Sequence, residues 1–274
     1  MEKLPLGIVS DEISQDFSEA LQYGISWGIE TYEIRLLTTG RIPQVDDAEV
    51  ERVVSLIREK GVHISAVSPG IFKHPVTRKD DLEHELTAVL PKTFEFAERV
   101  GSERVIVFGF QLDQNSGRED QEPYAIELMQ RAASMAGEVG YSIAVENEPG
   151  FIFDTGSNSA RLTGEIGKSN FGVNWDPCNS YGMDERPYPE GYEAVKPHIV
   201  NVHAKDTETS AHVKCIPLGE GNVDWKGQVR SLMQDRIVPH LTIETHCEPL
   251  IENSRKNVEY LHRLMEEILA EQQG

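Results

Sequence analysis

The sequence predicts a closed (β/α)₈ barrel, and three observations carry that expectation. Short apolar runs and amphipathic stretches alternate along the whole chain, and strict βα alternation gives a parallel sheet with right-handed crossovers. Eight such units of about 34 residues fill the 274 residues, the size of one barrel domain spanning 1–274. A doubly wound sheet would announce a GxGxxG turn after its first strand, and this chain has Ser10-Asp11-Glu12 there.

Each unit has its own local reason. Residues 6–10 form the first apolar run, and 16–24 carry Phe17, Ala20 and Leu21 at helical spacing before the stop at Gly24. Residues 29–36 are β-rich and bring Glu33 and Arg35 to a strand end. In 46–60, Asp46 is placed to cap a helix whose apolar face is Val50, Val53, Val54 and Ile57. Strand three is 62–67, followed by a loop with His74. A long helix covers 80–100, where Pro91 should kink or split it. Residues 105–108 are strand four, and 123–139 the next helix, opening on Pro123. Strand five covers 142–146 and is followed by a helix over 155–167 capped by Thr155 or Ser157. Phe171–Trp175 is strand six, 189–195 a short helix and 199–203 strand seven. After a polar loop, helix Trp225–Asp235, strand Leu241–Ile243 and an amphipathic helix over 251–270 complete the count.

Composition narrows the function. With 26 Lys+Arg against 46 Asp+Glu the formal charge is −20, which disfavours nucleic acid and anionic membranes, since both need basic side chains. The usual meaning of such an excess is solubility. Three cysteines without CxxC spacing fit free thiols in a reducing compartment. No run approaches 18 apolar residues and no signal-peptide core opens the chain, so a soluble cytoplasmic protein is expected.

The chemistry sits at four strand ends. Strand five stops in Glu146, strand six in Asp176, strand seven in His203 and strand eight in Glu244, separated by 30, 27 and 41 residues. Any one of them alone would be read as a solvated or structural side chain. In a barrel, however, all four ends surround one mouth. Three carboxylates that close together repel unless a cation lies among them. Oxygen-rich ligation with one imidazole suits a single divalent ion, Mn²⁺ or Mg²⁺ first, with Zn²⁺ or Co²⁺ also accommodated.

Several stretches carry a family resemblance: Val145-Glu-Asn147, Asn174-Trp-Asp-Pro-Cys-Asn179, Asn201-Val-His-Ala-Lys-Asp206, Gly219-Glu-Gly-Asn-Val-Asp-Trp225 and Ile243-Glu-Thr245. The chain resembles the xylose isomerase-like TIM-barrel superfamily, in its sugar phosphate isomerase/epimerase branch of the D-tagatose 3-epimerase type. The resemblance implies that Glu146, Asp176, His203 and Glu244 bind one metal and that Glu146 and Glu244 are acid and base. It also implies a small sugar or polyol substrate and, as in many relatives, a dimer or tetramer. Two glutamates on separated strands can face a flat enediolate from opposite sides, which is what inverting a stereocentre requires.

Departures from the pattern bear on the substrate. Many relatives have His where this chain has Glu148, and an Arg before the GxG turn where it has Ala211-His-Val-Lys-Cys-Ile-Pro217, so Lys214 or His212 would stand in. Glu33, Lys205, Lys214, His246 and Asn179 are the candidate substrate-binding residues. Glu33 has an alternative as a salt-bridge partner of Arg35, Lys205 as a surface ion pair, and His246 as a group supporting Glu244. Gly219-Glu-Gly221 reads as a turn and Trp225 as a packing residue. No loop carries a phosphate cradle, so an unphosphorylated substrate is preferred. Other functions fit less well: a keto-inositol dehydratase sharing the first proton abstraction, an apurinic endonuclease, or a barrel kept only for binding. Asn179, where the endonucleases have His, and the charge of −20 disfavour the second.

Overall fold

The computed structural model of the protein describes residues 1–209 and 214–272. Eight parallel strands close into a barrel: β1 Leu6–Val9, β2 Thr31–Ile34, β3 His63–Val67, β4 Arg104–Phe108, β5 Ser142–Glu146, β6 Phe171–Trp175, β7 Ile199–Ala204 and β8 Leu241–Ile243. Their order around the ring follows the chain, and β1 closes on β8 with Leu6 beside Leu241 and Ile8 beside Ile243. Two short antiparallel ladders decorate the carboxyl-terminal mouth, Leu36–Leu37 with Gly40–Arg41 and Asp206–Thr207 with Cys215–Ile216.

Helices cover the outside because each buries one stripe. Helix Asp47–Lys60 buries Val50, Val53 and Val54 and stops at Gly61, which takes the left-handed conformation. The expected cap at Asp46 sits in place but accepts no side-chain hydrogen bond; Asp16 and Thr155 do cap their helices, accepting from the amides of Ser18 and Asn158. Pro91 acts as expected. Having no N–H to return to Thr87, it is preceded by a π-helical turn, Glu85–Val89, joining Lys79–His84 to Leu90–Val100.

Two helix boundaries are corrected. The first helix runs Phe17–Ser26, through the Gly24 expected to stop it, and ends at Trp27. The helix expected to open at Pro123 runs Arg118–Glu138, with the proline inside it. Gln121 explains the earlier start: its side-chain amide donates to the carbonyls of Asp113, Ser116 and Gly117 and accepts from the Asp113 amide, fastening the first turn to the preceding loop. No helix among the described residues is long and apolar enough to cross a membrane.

The main apolar core lies between barrel and helices. Inside the barrel the apolar filling is thin, with Ala66, Ile106 and Ala144 packed against Val200. Above it Glu33, Asn174, Asn201 and Thr242 hydrogen-bond to one another and turn the interior polar toward the carboxyl-terminal mouth.

Candidate functional site

Period-two alternation sends one side of each strand inward. On β7 that side carries Asn201 and His203 with Lys205 just beyond; on β6 it carries Asn174, then Asp176; on β8 Thr242, then Glu244; on β2 Glu33, then Arg35. Glu146 ends β5. The barrel brings Glu146, Asp176, His203 and Glu244 together: one ligand atom from each lies within 4.8 Å of the others, and all four residues are buried.

His203 is aimed by Glu33. Its Nε2 lies 2.7 Å from Glu33 Oε2, while Nδ1 faces inward, 3.6 Å from Glu146 and 3.5 Å from Glu244. Glu33 also accepts from Asn201 and Thr242, both at 2.8 Å. Burial pushes the Glu33 carboxyl up, but the charge of His203 and these three hydrogen bonds outweigh it and bring it down to about 2. The alternative pairing of Glu33 with Arg35 does not form. Glu33 is committed beneath His203, and Arg35, one layer higher on the same strand, reaches Asp11 at 2.8 Å, Glu12, and Glu244 at 2.6 Å.

Lys205 is no surface pair. It is 3 % exposed, with Nζ 3.0 Å from Asp176 Oδ2 and 2.9 Å from Glu244 Oε2. Trp225 donates its indole N–H to the Lys205 carbonyl at 3.0 Å, and Asp206 accepts from the amides of Thr207, Gly219, Gly221 and Val223. This gives the GxG turn its reason: a Cβ at Gly221 would lie 2.1 Å from Asp206 Oδ1. Asn147 stitches β5 to β6 by accepting from the Asp176 amide and donating to its carbonyl, both at 2.8 Å. Asn179 braces Glu146 from the side, donating to it at 3.4 Å and to the Asn147 carbonyl at 2.8 Å.

His246 joins the site through Glu12. Its amide donates to Glu12 Oε2 at 2.7 Å, and Nδ1 lies 2.9 Å from Glu12 Oε1 and 3.6 Å from Glu244. Lys214 is not brought to the cluster; it is exposed and pairs with Glu208. His212 lies outside the described residues. His74 packs toward Glu85, at 3.7 Å.

The electrostatics are those of a cation site. Burial disfavours the ionised form of Glu244, but Lys205, His246 and His203 hold it well below the usual carboxylate range. Burial raises Asp176 to about 6 against the pull of Lys205. Glu148 is raised to about 7 by burial, Lys205 opposing and Glu146 adding to the shift. His203 loses hydration on burial, yet Glu33, Glu146 and Glu244 keep it protonated well above its ordinary pKa; a metal at Nδ1 would take that proton's place.

The donor set fits a divalent ion on two further counts. Asp176 Oδ2 is buried and accepts no hydrogen bond, although the Lys205 ammonium lies 3.0 Å away. A histidine whose second nitrogen donates to a carboxylate is also the usual form of a metal-ligating imidazole. Glu12, Glu244 and His246 make a second cluster of the same kind, where the guanidinium of Arg35 already supplies a positive charge.

A cavity of about 220 Å³ opens onto the cluster, lined by Glu146, His203 and Glu244 on its inner side and by Arg35, Arg41, Lys73 and Phe108 around the mouth. Sequence reasoning missed Asp11, Glu12 and Arg35 as site residues; the Ser10-Asp11-Glu12 run that argued against a dinucleotide fold was the available signal.

Comparison with known proteins agrees with this architecture. The xylose isomerase-like TIM-barrel family matches residues 21–267, and the chain belongs to that family. Solved structures that resemble it include an L-ribulose 3-epimerase (16 % identity, TM-score 0.78, covering 98 % of this chain and 97 % of that one). Others are the IOLI protein with a bound zinc atom (16 %, 0.76, 98 % and 99 %) and a probable 3-DHS dehydratase, AsbF, from Bacillus anthracis (16 %, 0.74, 95 % and 99 %). No curated protein sequence gives a significant match.

Proposed function

We propose that the protein is a metal-dependent epimerase or isomerase of a sugar or polyol-derived ketose, built as one domain over residues 1–274, with Glu146 and Glu244 as its proton carriers. One observation supports this above the others: two buried glutamates from β5 and β8 share a single four-residue cluster with Asp176 and His203. Those four residues would hold one divalent ion, which when bound supplies Lewis-acid stabilisation of negative charge developing on the substrate.

The chain's own residues account for the rest of the chemistry. One of the two carboxylates takes the proton from the carbon beside the carbonyl, leaving an enediolate. The other, entering the step protonated, delivers its proton to the opposite face, so that the pair ends with the proton exchanged between them. Arg35 bonds Glu244 Oε1 and leaves Oε2 facing Lys205 and the cluster. The Lys205 ammonium adds a second positive charge to the acidic floor and donors for a substrate hydroxyl. Asn174 and Asn179 steady the two Glu146 oxygens.

Incubation with Mn²⁺ in deuterated water across a panel of ketoses and inososes tests the proposal. At least one substrate should take up deuterium at the carbon beside its carbonyl without change in composition. A product lighter by one water would reassign the protein as a lyase, and no exchange with any member would overturn the reading.

A further inference from the structure

In a chain with 46 acids and 26 bases, most buried or half-buried cations at the mouth are engaged. Arg35 serves three carboxylates and Lys205 two. Arg41 and Lys73 are different. Both line the cavity, and among the described residues neither forms an ion pair. Both are exposed at the rim, and the acids nearest them, Asp11 for Arg41 and Glu148 for Lys73, act across a gap rather than in an ion pair. Burial and the charge of Arg35 push the guanidinium of Arg41 below its ordinary value, with Asp11 opposing.

Local structure holds both in place. Arg41 ends the short ladder after β2, and its side chain lies against Gly70. A Cβ there would approach Arg41 Cδ to 3.1 Å and Nη1 to 3.3 Å, and the φ of +75° already favours glycine. Lys73 follows Phe72, whose buried ring packs against Phe110 with centroids 5.3 Å apart and whose amide donates to Glu85 at 2.7 Å. The Lys73 ammonium sits 3.7 Å above the ring of Phe108, itself a wall of the cavity.

We infer that the substrate of the proposed reaction carries one anionic group, a carboxylate or a phosphate, which Arg41 and Lys73 bind at the rim while its carbonyl end faces Glu146 and Glu244. This rests on the proposed function for the orientation of the substrate, and on the cavity alone for the anion. Arg41 offers a planar fork of donors and Lys73 a point charge, a pairing that serves either group. Neutral sugars would leave both cations to water.

Calorimetric binding of three unreactive polyols to the Mn²⁺-loaded protein tests it: sorbitol, gluconate and sorbitol 6-phosphate. One of the two anions should bind at least about tenfold more tightly than sorbitol, and Arg41→Gln and Lys73→Gln should each remove most of that advantage. Which anion wins separates carboxylate from phosphate. The inference is overturned if sorbitol binds as well as both anions, if the preference survives in the double variant, or if none of the three binds. Its failure is distinct from that of the proposed function. Deuterium exchange into neutral ketoses alone would sink the anion subsite and leave the epimerase reading standing; anion binding lost on Arg41→Gln, with no exchange into any substrate, would do the reverse.

Discussion

At the carboxyl-terminal mouth a cavity of about 220 Å³ is walled by interlocked acids and bases, whereas at the amino-terminal mouth a cavity of about 710 Å³ is lined by His63, Ser65, Arg104, Ser142 and His240. The larger space is the less organised one. Its buried polar atoms without partners are nitrogens, Arg104 Nε and His240 Nε2, and burial pushes His240 down to about 4, so its ring is neutral. Near the smaller cavity the unpartnered atoms are oxygens, Asp11 Oδ1, Asp176 Oδ2 and Asn179 Oδ1 among them. Volume does not locate the chemistry here. The sign and density of convergent groups are the better guide, and at the carboxyl-terminal mouth they form a cluster able to hold a cation.

The contrast can be broken by experiment, beginning with the largest expected effect. Glu146→Gln or Glu244→Gln should lower substrate deuterium exchange by about 10²–10⁴-fold with folding preserved, since a proton carrier is lost and its shape kept; near-normal exchange in both variants would remove the acid–base assignment. Arg35→Met leaves Asp11, Glu12 and Glu244 without their shared cation, and should destabilise the protein by about 3–5 kcal/mol in denaturant unfolding. A cost no larger than that of an ordinary surface substitution would show that the acids relax independently.

Glu33→Gln is the subtler probe. The amide would present a donor to His203 Nε2, so the ring would turn its own N–H toward the cluster. Mn²⁺ affinity measured by calorimetry should fall about 10–100-fold. Unchanged affinity would detach Glu33 from metal binding.

His240→Phe tests the opposite mouth. Its folded pKa of about 4 lies below the unfolded value of 6.5, so the unfolded chain binds more protons between those values. Its contribution to stability is therefore full above pH 6.5 and is lost as pH falls toward 4, by ~2 kcal/mol between pH 7.5 and 5. Chemical denaturation at those two pH values should show this loss in the native protein and a smaller one in the variant; equal losses would mean that His240 is solvated in the folded state.

How much of this was legible in sequence depends on how local the cause is. Ser142–Glu146, Phe171–Trp175, Trp225–Asp235 and Leu241–Ile243 coincide with the expected bounds, because a buried run ended by turn residues is a local signal. The start at Arg118 was not legible. Pro123 imitates a first helical residue, and only the Gln121 bonds to the loop reveal the earlier turn. The partners of Arg35 and Glu12 were illegible for a different reason. Arg35 meets Glu244 across 209 positions and His246 meets Glu12 across 234, contacts that exist only once β1 has closed on β8.

By itself the sequence determined the βα rhythm, and with it the fact that Glu146, Asp176, His203 and Glu244 all end strands. Periodicity of two and of 3.6 is written residue by residue, so it survives without a structure. Only the tertiary structure decided what each side chain does there: Glu33 beneath His203 rather than beside Arg35, Lys205 buried between Asp176 and Glu244, and Arg41 and Lys73 at the cavity rim with no ion pair among the described residues. Hydrogen bonds and ion pairs are directional and short, and their partners are chosen by ring closure and strand register, which no single segment encodes.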